Sequence, residues 1–134
     1  MTVTTKITVR PYECDSYSHV NNAVYLNYLE HARMDFLNKS GFNYKALVEE
    51  GYYTYVTHID IYYKASSFLN DNLTIETYPT QLKHVTGTFH QKITKDDGTI
   101  CAEADVTWAC VQSKDGRPCK IPEKYLVDAL KPEA

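Results

Sequence analysis

Residues 21–42 read "NNAVYLNYLEHARMDFLNKSGF", and this stretch decides the fold. Tyr25, Tyr28, Leu29, Ala32 and Phe36 recur at three- and four-residue intervals, so one side of a helix is apolar along its whole length. Leu26 and Leu37 widen that stripe, which predicts burial over more than half the circumference. Asn21 or Asn22 can supply the N-cap. At the other end Gly41 suits the left-handed position after the last turn, and Phe42 can then fold back on Leu37. Both ends of a long helix are thus written in the chain.

The segments on either side alternate like strands. Thr2–Arg10, "TVTTKITVR", sets Val3, Ile7 and Val9 on one face and stops at Pro11. After the helix, Tyr44–Glu50 reads as a short second helix closed by Gly51. Tyr52–Lys64, "YYTYVTHIDIYYK", puts Tyr53, Tyr55, Thr57, Ile59, Ile61 and Tyr63 on one face. Residues 72–79, 85–94 and 99–113 continue the strand pattern, with Asp96-Asp97-Gly98 as a hairpin turn. Asp115-Gly116-Arg117-Pro118 is a second turn, and Pro122 opens a last short helix, Glu123–Leu130. One strand, one long helix and four strands make an α+β fold, with the helix packed on an antiparallel five-stranded sheet. At 134 residues, with no repeat or linker, the expectation is a single domain spanning 1–134.

Composition narrows the class. A hydrophobic share of 43% and a charged share of 23% are those of a soluble globular protein. No apolar run approaches the ~18 residues that a membrane span needs. The alternating N-terminus has no apolar core of a signal or transit peptide, so the expected compartment is cytoplasmic. Cys14, Cys101, Cys110 and Cys119 follow no paired or metal-ligand spacing and read as reduced thiols. The net charge of -3 has the wrong sign for a dedicated nucleic-acid binder. The 12 tyrosines suit half-buried strands and subunit interfaces.

Candidate chemistry concentrates in "CDSYSHVNNAVY", residues 14–25. Asp15 lies in a polar loop just ahead of the helix N-terminus, whose unpaired N–H groups can hold an anion or a developing oxyanion. A carboxylate beside such a terminus can act as nucleophile or as general base in acyl transfer. Spacing alone leaves open that Asp15 is an ordinary turn former. His19 and Asn21 can assist the carboxylate, or can be a loop residue and a helix cap. Glu30 and Arg33, three apart on the helix, read as a surface or interface ion pair, and Trp108 as core or interface packing. The other histidines form no helical i, i+4 pair, so no metal and no cofactor are expected.

The segment "YECDSYSHVNNAVYLNYLEHAR" resembles the signature of the hot-dog-fold acyl thioesterases, in the branch that contains 4-hydroxybenzoyl-CoA thioesterase and the YbgC-like acyl-CoA thioesterases. The matching residues are Asp15, Ser18, His19, Val20, Asn21, Asn22, Val24, Tyr25, Glu30, Ala32 and Arg33. Later segments, "YYKASSFLNDNLTIET", "ADVTWACVQSKDGRPCKIP" and "PEKYLVDAL", follow in the family's order, so the likeness covers nearly the whole chain. It departs at Ser18, where many relatives have Gly, a substitution that costs energy if the position needs a positive φ.

This resemblance implies a hot-dog fold, a five-stranded antiparallel sheet wrapped around the long helix. It implies hydrolysis of an acyl-CoA or acyl-ACP thioester, with Asp15 as the catalytic carboxylate and the backbone N–H of Asn22 polarising the thioester carbonyl. His19 and Asn21 are the implied helpers, and Lys83 and His84 stand where some relatives carry a basic cluster for the CoA phosphates; a solvated strand end is the alternative there. A homodimer or homotetramer is implied, with sheets joined edge to edge. Two other readings stay open: a hydratase or dehydratase on the same fold, with His19 and Asp15 moving protons, and a non-catalytic acyl-thioester-binding protein.

Overall fold

A computed structural model describes residues 1–133. Five strands, β1 (Val3–Thr8), β2 (Tyr52–Tyr63), β3 (Asn72–Leu82), β4 (Thr86–Lys95) and β5 (Ile100–Gln112), form one sheet in the order β1-β3-β4-β5-β2. Every neighbouring pair is antiparallel. The long helix α1 (Asn22–Ser40) packs across one face, and a short helix α2 (Tyr44–Glu49) leads into β2.

The buried residues of α1 are Tyr25, Tyr28, Leu29, Ala32 and Phe36, the stripe read from the periodicity. Leu26 does not join them; it stays exposed, so the buried arc is narrower than expected. Asn21 is the N-cap, its side chain accepting from the Ala23 N–H at 2.9 Å. Gly41 takes φ 81°, and the Phe42 N–H closes the end on the Leu37 carbonyl at 3.3 Å.

Between sheet and helix the core has two apolar halves. One holds Tyr25, Leu29, Ile75, Ile93 and Val106, the other Phe36, Leu47, Phe89, Trp108 and Leu130. A polar seam divides them. Gln91 and Thr77 face each other across β3 and β4, both fully buried. The Gln91 amide donates to the Leu29 carbonyl at 2.9 Å and to Thr77 Oγ1 at 3.0 Å, while its oxygen accepts from Arg33 Nη1 at 3.0 Å. The seam therefore locks the rotation of α1 against the sheet through hydrogen bonds that an apolar contact cannot supply.

Three expectations are corrected. The even alternation of β2 is broken by a bulge at Thr57, between the pairs Val56–Trp108 and His58–Thr107. Tyr53 and Tyr55 therefore pair with Val111 and Ala109, whereas Ile59, Ile61 and Tyr63 pair with Val106, Ala104 and Ala102. Thr54 and Val56, not the two tyrosines, share the helix-side face with Ile59, because one extra residue shifts every later side chain to the other face. β3 runs on past Pro79, which is tolerated because β1 has ended: its first residue, Val3, pairs with Thr77. The last helix is two separate 3-10 turns, Glu123–Tyr125 and Asp128–Leu130.

Candidate active site

The loop from β1 to α1 begins with a 3-10 turn, Pro11–Glu13, and then folds back on itself through a bridge between Cys14 and Val20. The Asp15 N–H donates to the His19 carbonyl at 2.9 Å, and the Ser18 N–H to the Asp15 carbonyl at 3.0 Å. This four-residue turn forces Ser18 to φ 69°, a left-handed conformation that costs an L-residue about 1–2 kcal/mol. The departure from Gly noted in the sequence therefore carries a steric cost.

Asp15 is tied at one oxygen and open at the other. Its Oδ1 accepts from the Tyr17 N–H at 2.9 Å, and its Oδ2 stands 3.5 Å from His19 Nδ1. His19 is itself held between the Tyr17 ring, stacked at 6.0 Å, and the Phe68 edge at 6.4 Å. Asp15, His19, Asn21, Asn22, Tyr25, Tyr63 and Lys64 line an open cleft of about 540 Å³. The loop and the start of α1 thus meet in one place.

At that helix start the donors are already divided. The Ala23 N–H is taken by the Asn21 side chain and the Val24 N–H by the Asn21 carbonyl, at 2.9 Å each. Among the described residues, the Asn22 N–H has no acceptor. Asn22 also accepts at its carbonyl from the Tyr63 hydroxyl at 3.0 Å, which ties the first turn to the end of β2. A cleft with a carboxylate and one unclaimed N–H at a helix N-terminus can stabilise a tetrahedral oxyanion beside an activated water or a carboxylate nucleophile. Asn21 takes the capping role that the sequence left as its alternative.

Two supports were not legible as site residues. Glu13 is buried and accepts from the Arg10 N–H at 2.8 Å, Arg10 Nη2 at 2.6 Å and the Tyr28 hydroxyl at 2.9 Å, while its carbonyl takes the Asn21 N–H at 3.1 Å. Burial pushes the Glu13 carboxyl up, but the hydrogen bonds from Arg10 and Tyr28 together outweigh it and leave the group below its ordinary value. The signal available was its place three residues after Arg10 in a Pro-initiated turn, where a Glu side chain reaches back to the cap. Ser67, fully buried, accepts at its carbonyl from the Val20 N–H at 2.8 Å and exchanges hydrogen bonds with the Tyr25 hydroxyl at 3.0 and 3.2 Å.

The Glu13 arrangement predicts a pH effect. A carboxyl whose folded pKa is depressed stabilises the fold above its unfolded value, about 4.3, and loses that contribution as pH falls through the folded value. Melting temperature followed downward from pH 7 should fall more steeply through the acid range for the native chain than for Glu13→Gln, which lacks the titrating group. Parallel profiles would remove Glu13 as the source.

Lys83 and His84 lie elsewhere in the chain. They are exposed in the turn between β3 and β4, where the Cys110 N–H reaches the Val85 carbonyl at 2.8 Å and the Ile121 N–H reaches the His84 carbonyl at 2.9 Å. The Asp15 cleft sits at the Tyr63 end of β2, which pairs with Ala102. From Ala102 to Cys110 the strand covers about 26 Å at ~3.3 Å per residue. Within one chain these two residues do not meet Asp15. Glu30 and Arg33 also depart from expectation: among the described residues they form no ion pair, and Arg33 turns inward to Gln91.

The comparisons with known proteins bear on the family and the fold. The family model of the thioesterase-like superfamily matches residues 9–129. The long-chain acyl-CoA thioesterase FadM of Escherichia coli (strain K12) is 38% identical over 111 residues, which is 82% of this chain and 83% of FadM. The acyl-CoA thioester hydrolase YbgC of Escherichia coli O6:H1 is 29% identical over 116 residues, 87% of each chain. In structure, a DHNA-CoA thioesterase from Staphylococcus aureus superimposes with a TM-score of 0.87 at 22% identity, covering 93% of this chain and 83% of that one, which shows the shared fold. With 121 of its 134 positions spanned by one family model (residues 9 to 129 inclusive), and a five-stranded antiparallel sheet with a long helix across it, the chain belongs to the thioesterase-like superfamily and has its hot-dog fold.

Proposed function

We propose that this chain hydrolyses acyl-CoA thioesters, releasing a free acid and a thiol, with Asp15 as the reacting carboxylate. The observation that carries the reading is the pairing of Asp15 with the one first-turn N–H left without an acceptor among the described residues, that of Asn22. Acting as general base, Asp15 takes a proton from water as the water oxygen bonds to the thioester carbon. The carbonyl oxygen becomes an oxyanion that accepts from the Asn22 N–H. The C–S bond then breaks, and the thiolate takes the proton back. Acting as nucleophile, the same carboxylate forms a mixed anhydride that water opens, with the same products. A thiolate leaves readily, so no strong general acid is required, and His19 serves to orient Asp15. The similarity to FadM and YbgC, both named for acyl-CoA thioester hydrolysis, supports the substrate class.

The working form is a homodimer, paired further into a tetramer where a second surface allows, formed through β2. This strand is the longer of the two sheet edges, is 12 residues long, and exposes Tyr55, Val56, Tyr62 and Tyr63. Antiparallel pairing of β2 with its own copy about a two-fold axis sets the far end of one subunit beside the Asp15 end of the other. That is the arrangement in which Lys83 and His84 of a second copy can serve the CoA phosphates. A cytoplasmic location suits the four free cysteines.

Thiol release from a panel of acyl-CoA and acyl-ACP thioesters, run beside sedimentation of the purified chain, tests both parts. Turnover with higher kcat/KM for CoA than for ACP thioesters, by a species no smaller than a dimer, is expected. Enoyl-CoA hydration without thiol release, or tight binding without turnover, would overturn the hydrolytic reading; an active monomer would overturn the shared site.

A further inference from the structure

Another cavity of the molecule is mainly apolar and has a cation, Arg33, in its wall. It holds about 110 Å³, somewhat below the ~150 Å³ cavity that accommodates one benzene ring. Met34, Leu37, Phe89, Trp108 and Leu130 are among its apolar lining, and Arg33 and Glu30 both line it as well. Such a lining fits the tail of an acyl group and not a phosphate.

Arg33 is out of place in that company unless it has a ligand. Its single hydrogen bond is Nη1 to the neutral Gln91 oxygen, and no carboxylate lies within ion-pair distance among the described residues. Every buried side-chain nitrogen and oxygen among those residues has a partner. The guanidinium nitrogens of Arg33 without a partner are therefore accessible, and Arg33 is one of the residues that line this cavity. Burial pushes its pKa down, with the charge of Glu30 acting the other way. The position is not adaptable, because Gln91 is held by Leu29 and Thr77 and in turn fixes the guanidinium.

We infer that Arg33 makes this cavity selective for acyl groups carrying an oxygen acceptor in the chain, a hydroxyl, oxo or carboxylate oxygen beyond the thioester, over plain hydrocarbon acyl groups of the same length. The inference rests on the acyl-CoA reading above and specifies its substrate class. A plain chain in this cavity removes water from the free N–H groups and gives nothing back, whereas an oxygen at that depth accepts from them. Arg33 stands eleven residues after Asn22 on α1, about 16 Å along the axis at ~1.5 Å per residue. A chain reaches it along the helix from the same subunit's cleft, or across β2 from the copy's cleft in the dimer; Thr54 and Val56, on the cavity side of the bulge, line the latter path.

The test compares matched acyl-CoA pairs of equal length, with and without one oxygen, the oxygen moved from C3 to the chain end and presented as hydroxyl, oxo or terminal carboxylate. The native chain is expected to favour at least one oxygenated member by about 10-fold to 100-fold in kcat/KM, and the position of the optimum gives the depth of Arg33. In Arg33→Met the ratio should fall to near one, with Arg33→Lys between. If Arg33→Met does not fold, matched free acids as competitive inhibitors of the native chain carry the same comparison, with Ki lower for the oxygenated acid by a similar factor. Equal or better hydrolysis of plain acyl-CoAs by the native chain overturns this inference and leaves the thioesterase reading intact; absence of all thiol release overturns the latter. A preference confined to the carboxylate arm identifies an anion as the ligand, and a preference shared by hydroxyl and oxo identifies a neutral acceptor.

Discussion

Asp15→Asn is expected to lower kcat by about 1000-fold while leaving KM and melting temperature close to native, since a positioned general base contributes about 100-fold to 10,000-fold. The structural side of that expectation is firm: the amide oxygen of Asn can still accept from the Tyr17 N–H, the bond that sets the turn. What is lost is the anionic oxygen that faces His19 and the cleft. Single-turnover thiol release beside thermal melting separates the two effects. An Asn variant with native kcat would move the chemistry away from Asp15 altogether.

The companion result concerns a backbone atom. Asn22 is the first residue of α1, and its predecessor Asn21 is extended, with φ -62° and ψ 140°. Proline is favoured at that first helical position and requires an extended residue before it, so Asn22→Pro leaves the helix start intact. It deletes one thing that matters here, the N–H without a partner. Loss of a single oxyanion donor costs about 100-fold to 1000-fold in kcat, and that is the expected effect at unchanged stability. Asn22→Ala, which keeps the N–H and removes only an exposed side chain, is the control and should stay within a few-fold of native. If both variants are equally impaired, the side chain and not the backbone carries the role.

Much of this arrangement could be read from the chain because the reasons are local. Asn21, Gly41 and the five apolar positions between them specify α1 without reference to anything else, and the turn residues 96–98 specify the hairpin between β4 and β5. Asp15 is a candidate because an acid next to a helix start is a local juxtaposition, whereas its catalytic role and that of the Asn22 N–H are implied only by the resemblance to the family signature. The bulge at Thr57 escaped because nothing in "YYTYVTHIDIYYK" marks it; it is a property of pairing with β5, more than 40 positions away in the chain. Nothing local marks Glu13 as the partner of the Tyr28 hydroxyl, or Gln91 as the residue that Leu29 and Arg33 meet from the helix. Contacts between elements distant in the sequence leave no local mark. The two halves of the missing C-terminal helix show the reverse limit: Pro122 announces a helical start, but Leu130 is pinned in the second core half and the chain must break to bring it there.

The unequal edges of the sheet set which edge-to-edge pairings of two copies match in length. One margin is β2, 12 residues with a bulge at Thr57; the other is β1, 6 residues that end three positions before Pro11. Head-to-tail addition would have to lay the long, bent margin of one molecule on the short, straight margin of the next, leaving about half of its peptide groups without partners. A copy of the same margin, turned end for end, is the surface with matching length and a matching kink. In the proposed dimer, pairing through β2 would consume the sticky edge in a closed pair, and the shortness of β1 would deny an open chain of molecules its next link.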